Sequence, residues 1–261
     1  MFPENIETRS QYIFDQVLAG NFEAKWSDLV YTTLGKEVRL QVMDDALKVD
    51  GVRVNVSATL EQRLADVFDA SLLTSYVADQ MFRCAVRRAT PCPMSISTTV
   101  ASMVKHSQSV DKQLLPDSFG LVATCGKHWV LDKQLETKSH SACNYGWHFV
   151  GPSFQGIVGF EPVTGKGLFS AGVRVIQPNA TAHDPHHADY SQICQLVSQQ
   201  CWIDGVEMRF SDVVKDPVLG YLVSHQGPLS IDRQPGVDPV VGQVVLFPTN
   251  VSSSVATDGV A

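Results

Sequence analysis

Ala46-Leu-Lys-Val-Asp-Gly-Val-Arg-Val-Asn-Val56 alternates apolar and polar residues on both sides of an Asp50-Gly51 pair. Asp-Gly between two such runs signals a two-residue hairpin, because both turn positions need positive φ. The turn pairs Val49 with Val52 and Leu47 with Val54, so four apolar side chains share one face. Lys48 and Arg53 share the other, and like charges directly opposite imply a face open to water.

Outward from this ribbon the period lengthens. Ile13, Phe14, Val17 and Leu18 fall on one helical face upstream. Downstream, Thr59 reads as an N-cap with Gln62 as its reciprocal partner, ahead of Leu60, Leu64, Val67 and Phe68. A second helix runs from about Thr74, carrying Val77, Met81, Cys84 and Ala85, and Pro91-Cys-Pro93 ends it. A third, from about Thr98 to His106, carries Val100, Met103 and Val104. After Gly120 short strands are predicted over 121–125, 128–131, 143–150 and 173–177. Six glycines between Gly151 and Gly172 read as a long loop or loose hairpin. Tyr190 to Cys201 reads as a helix, Trp202 to Met208 as a second Asp-Gly hairpin, and Asp212 to Leu222 as a short helix interrupted by Pro217.

The expected class is therefore α+β. A helix-rich N-terminal half (1–118, with the hairpin at 46–56) precedes a mostly antiparallel, sheet-rich half (119–249), and both fit within one compact domain. A Ser/Val/Ala-rich tail (250–261) follows, and the Val-rich stretch from Val240 to Val251 is expected to add a strand to an assembly partner.

The 261 residues are 44% hydrophobic and 18% charged, enough to build a core. Net charge is −7, which argues against nucleic acid as a partner. Arg83, Arg87 and Arg88 read as the end of a helix, where cations meet the negative pole of the dipole. No apolar run is long enough to cross a bilayer, and the N-terminus lacks a secretory pattern. The expectation is a cytoplasmic protein, with export lacking a classical signal, or phage association, left open. Cys84, Cys92, Cys125, Cys143, Cys194 and Cys201 form no Cys-x-x-Cys pair and read as small buried hydrophobes.

Ligand-capable residues concentrate between Tyr145 and Ser191, where four of the eight histidines lie. Three chemistries compete for them. His183, His187 and His148 are donors that would suit Zn²⁺ or Fe²⁺, with zinc as the implied cofactor; Pro185 works against a helical pair. Alternatively, His183 acts as a general base oriented by Asp189, with Ser191 and Tyr190 orienting substrate or stabilising an oxyanion. The third reading is structural: Trp147 and His148 pack, and Asp189 and Ser191 cap the helix that follows.

Around Ser191-Gln-Ile-Cys194-Gln-Leu the chain resembles the L,D-transpeptidases, whose signature is Ser-His-Gly-Cys-x-Arg. Only Ser191 and Cys194 carry over, since Gln192, Ile193 and Leu196 replace the other three signature residues. The resemblance implies a nucleophilic thiol at Cys194, whereas the Cys194, Val197, Cys201 spacing makes it a core residue. The segments Tyr145–His148, Ile176–Pro178, His183 and Asp189–Ser191 also resemble those of bacterial and phage proteins of unknown activity, which implies that they form one unit. The resulting expectation is a hydrolase cleaving an amide or glycosidic bond, in cell-wall material, of a small-molecule, peptide or glycan substrate. Its site is His148, His183, Asp189, Ser191 and Tyr190. The rival is a non-catalytic phage or assembly protein that associates through its tail.

Overall fold

The computed structural model describes residues 1–115, 119–149, 155–160, 167–171 and 174–245; the tail at 250–261 lies outside them, as does the Val-rich stretch beyond 245. Helix α1 (Ile6–Leu18) starts at Asn5, whose side chain accepts from the Thr8 amide, and buries Ile13, Phe14 and Val17. Strands β1 (Trp26–Thr33) and β2 (Lys36–Met43) then form a hairpin in full register around Leu34-Gly35. Both turn residues have positive φ, 49° and 75°. This hairpin was not expected, although Val38, Leu40 and Val42 alternate in the sequence and are all fully buried.

The Asp50-Gly51 ribbon forms as read: β3 (Lys48–Val49) pairs with β4 (Val52–Arg53), with Val49 opposite Val52 and Lys48 opposite Arg53. Its second face is not wet. The Arg53 side chain is 1% exposed and donates to Asp45 at 2.8 and 2.6 Å and to Asp111 at 2.5 Å. Lys48 sits 3.7 Å from the same Asp45, so carboxylates rather than solvent make the like-charged pair tolerable.

Helix α2 (Ala58–Val67) begins two residues earlier than expected, capped by Ser57 onto the Leu60 amide. Thr59 instead donates to the Pro185 carbonyl at 3.2 Å. Strands β5 (Ala70–Ser71) and β6 (Leu73–Thr74) lead into α3 (Ser75–Cys84), which Thr74 caps. This helix stops well before Pro91, because the chain turns into β7 (Arg87–Arg88). Arg87 and Arg88 are thus not helical, yet Arg88 reaches back to the Phe82 and Arg83 carbonyls at the helix end. Helix α4 (Val100–Asp111) is capped by Thr99 and runs beyond His106.

Next come β8 (Val122–Ala123), β9 (Lys127–Leu131) and β10 (Ala142–Phe149). The glycine-rich region holds β11 (Gln155–Phe160) paired with β12 (Gly167–Ala171), a hairpin. Strand β13 (Arg174–His183) pairs with β10. The expected helix at 190–201 does not exist: residues 190–196 are mostly irregular and β14 (Val197–Ile203) follows. Val197, Gln199, Cys201 and Ile203 are buried in strict alternation, and that period of two overrides the i, i+3, i+7 coincidence of Cys194, Val197 and Cys201. The second Asp-Gly hairpin joins β14 to β15 (Val206–Arg209), and α5 (Phe210–Lys215) ends before Pro217.

The fold is α+β. One sheet orders β1-β2-β14-β15 with β5 beside β14, and a second orders β13-β10-β9-β6. Core residues from α1, α2, α3 and both sheets form one buried cluster. Within the Val-rich stretch, the Val245 amide donates to the Val67 carbonyl and the Val240 amide to Asp66, so this part docks on its own chain. No described helix is long and apolar enough to cross a membrane.

Candidate functional site

Helix α3 is buried on nearly every side, and among Val77, Ala78, Met81 and Phe82 it carries an acid, Asp79, with 0% exposure. A carboxylate in such a place survives only if its oxygens are satisfied. Oδ1 of Asp79 accepts from the Tyr145 hydroxyl at 2.5 Å and from His148 Nε2 at 2.8 Å; Oδ2 accepts from His225 Nε2 at 2.7 Å. Burial alone would raise the Asp79 carboxyl, but the hydrogen bonds from His148 and His225 outweigh it and hold it well below the usual carboxylate range. An ionised carboxylate only accepts, so both imidazoles carry their proton on Nε2. Burial, reinforced by the Asp79 charge, pushes the Tyr145 phenol well up and keeps it a donor.

Strict alternation along β10 would send Tyr145 and His148 to opposite faces. Gly146 and Trp147, with φ of 130° and 58°, break that alternation, while the register with β13 slips earlier, on either side of Asn144. The two positive-φ residues re-aim the next side chain and turn His148 onto the side Tyr145 already occupies, so that both reach Asp79. A Cβ at position 146 would also stand 3.3 Å from the His128 ring. The Tyr-Gly-Trp-His sequence is thus the local code for bringing two donors to one carboxylate.

His225 arrives on the loop after α5. Tyr31 donates to the Leu222 carbonyl at 2.9 Å, Thr74 donates to the Val223 carbonyl, and the Lys133 amide donates to Gln226 Oε1 at 2.8 Å. Gly227 turns the loop with φ of 73°. Phe82 stacks on His148, and Tyr76 meets the His225 ring edge-on at 4.6 Å. Of the two imidazoles, His148 is 2% exposed and His225 15%. The assembly is therefore a buried carboxylate presenting one oriented, solvent-reaching imidazole.

The other expected site residues form a second network. Asp189 accepts from the Ser191 amide at 2.8 Å and hydroxyl at 2.5 Å, lies 3.5 Å from Lys127 Nζ and 4.0 Å from His187 Nε2. Burial would raise its carboxyl, but His187, Lys127 and Ser191 together hold it below the usual range. Tyr190 is tied at its hydroxyl to the Met94 backbone and packs against His106 and Trp147. Asp189 and Ser191 thus build a turn rather than cap a helix.

His183 contacts His187 at 5.1 Å between ring centroids and faces Trp129, while Asp189 stands beside His187 instead. Burial and then His187 push the His183 imidazole down. His148 and His183 are not brought together. His183 pairs with Ala142 and Val175 with His148, so six residues of β10, about 20 Å, separate them. Among the described residues no three His, Cys, Asp or Glu side chains are gathered as a metal-ligand set, so the expected group of His148, His183 and His187 is not assembled. Cys194 is fully buried, and burial followed by Glu61 pushes its thiol well up, the reverse of an activated nucleophile.

The sequence reading missed Asp79 and His225. Asp79 carried a signal, an acid on the Val77–Met81 stripe of a helix, whereas His225 showed only its turn. Compared with protein-family models, curated proteins and solved structures, the chain matches none.

Proposed function

We propose that the protein is a hydrolase of amide bonds in which His225 is the general base and Asp79 orients it. The observation that carries this reading is the 2.7 Å contact of His225 Nε2 with the fully buried Asp79, on the imidazole of that network with the greater exposure. Asp79 fixes the tautomer that leaves Nδ1 as a lone pair. Nδ1 takes a proton from water as the water oxygen bonds to the carbonyl carbon, and Asp79 stabilises the imidazolium that results. The same proton then passes from Nδ1 to the departing nitrogen as the C–N bond breaks. His148 and Tyr145 act through Asp79 as positioning residues. Glycoside cleavage needs two carboxyl groups flanking the bond. Asp79, the acid this imidazole touches, has 0% exposure and cannot flank a scissile bond, which favours the amide.

Peptide cross-links of bacterial cell wall are the first polymer to try. Full-length protein incubated with purified sacculi and with casein is expected to release new amino groups, and His225→Gln to lower the rate by about 10²–10⁴-fold at unchanged fold. Release unaffected by His225→Gln would refute the assignment. No release by the native protein from either polymer favours the assembly-protein reading, which the partnering of both Asp79 oxygens within the fold also supports.

A further inference from the structure

Strand β14 is paired along one edge by β2, and along its other edge by two strands that abut end to end: β5 opposite Val197 and Ser198, and β15 opposite Gln200 to Ile203. Gln199 falls between them, and the gap opens into a cavity of about 590 Å³, within the size of small-ligand sites. Asp69, just ahead of β5, and Arg209, the last residue of β15, meet across the gap at 2.8 Å. Ser198 and Gln200 stand two apart on β14 and share the solvent side of the sheet. Glu207 accepts from Gln200 Nε2 at 2.9 Å, and Phe68 and Met208 supply the apolar part of the lining. The charged groups are open to solvent: the Arg209 and Asp69 side chains are 56% and 59% exposed, so water screens their pairing and it yields to a ligand at little cost. None of these residues belongs to the Asp79 network.

We propose that this notch is a saccharide-binding site. A carboxylate only accepts, a guanidinium only donates, and a side-chain amide does both, so Asp69, Glu207, Arg209 and Gln200 together offer both roles around one opening. Adjacent hydroxyls of a sugar ring, each a donor and an acceptor, answer both roles, while the C–H face of the ring packs on the apolar lining. A net anion meets two carboxylates here and a net cation meets the guanidinium, so a neutral polyhydroxyl ligand fits the charges best. Binding in the notch is independent of the chemistry at His225, and it gives the chain a hold on the glycan of the same polymer whose peptide cross-links are the first substrate to try.

The test titrates chitotetraose, a neutral oligomer of an N-acetyl sugar, into the ¹⁵N-labelled full chain, with trialanine in a parallel titration. Saturable shifts of the Ser198, Gln200 and Arg209 amides are expected with the sugar and not with the peptide. Gln200→Ala and Glu207→Ala, both at exposed strand positions, should each weaken binding about 10-fold, the worth of one hydrogen bond. His225→Gln should leave it unchanged, as should Glu37→Ala, exposed on the same sheet outside the cavity. No saturable shift, a preference for trialanine, or an affinity indifferent to both cavity substitutions overturns the proposal. Loss of sugar binding in His225→Gln overturns it equally, since the ligand then sits at the Asp79 network. If one cavity variant does not fold, the other decides. Sugar binding without amine release from sacculi removes the hydrolase reading and keeps this site; amine release without sugar binding does the reverse.

Discussion

Asp79 and Asp189 are both buried, ionised and partnered by histidine, yet they are made differently. The side-chain partners of Asp79 come from 66, 69 and 146 residues away along the chain. Those of Asp189 include Ser191 and Gln192, two and three residues away. A carboxylate satisfied by its own turn shapes that turn. One satisfied by three distant elements ties those elements together, and it can hold a loop imidazole in a fixed tautomer.

Substitution separates the two most sharply in stability. Asp79→Asn removes the charge that three buried donors face and is expected to cost ~3–5 kcal/mol, read from urea unfolding. Asp189→Asn keeps an acceptor for Ser191 and should cost only ~1–2 kcal/mol. Equal costs would erase the contrast.

Acid adds a second axis. His128 lies between the networks, paired with Tyr145, its Nδ1 without a partner. Burial first, and the neighbouring His148 after it, push its pKa down to about 3. The unfolded imidazole, near 6.5, binds a proton that the folded one refuses. Stability is therefore full above about 6.5 and falls by about 1.4 kcal/mol per pH unit as pH drops toward 3. His106, pushed down to about 4 mainly by burial, adds a like slope over a narrower window. His128→Phe should flatten the decline between pH 6.5 and 4, and unchanged steepness would mean that His128 is not buried neutral. The Asp79 contribution behaves separately. Its folded pKa is depressed, so its stabilisation holds above the unfolded carboxylate value near 3.9 and is lost only as pH falls below that.

The smallest effect is expected at His183, half-buried and stacked on a neighbour. His183→Ala should change stability by under ~1 kcal/mol and leave amine release from sacculi unaltered. A large loss of activity at unchanged stability would return the centre to the Asp189 network.

Local periodicity made much of the fold legible. The Asp50-Gly51 and Asp204-Gly205 turns and the Thr74-capped helix all follow from residues within one turn of each other. The Leu34-Gly35 hairpin was legible from Val38, Leu40 and Val42 but lacks Asp-Gly. The 190–201 segment was misread because Cys194, Val197 and Cys201 fit a helical period by coincidence, while burial follows a period of two. Density of histidines pointed to the 183–191 turn, which is rich in polar atoms because it satisfies itself. Asp79 and His225 carry no local signature beyond an acid on an apolar stripe, since their meeting depends on the loop pinned by Thr74, Tyr31 and Lys133.

Histidine side-chain ¹⁵N spectra of the native protein, with Asp79→Asn as the control, address the geometry at its root. The account predicts that His225 and His148 are protonated at Nε2, their protons shifted downfield by the carboxylate, and that both lose that signature in Asp79→Asn. A His225 protonated at Nδ1, or a spectrum indifferent to the loss of Asp79, would contradict it.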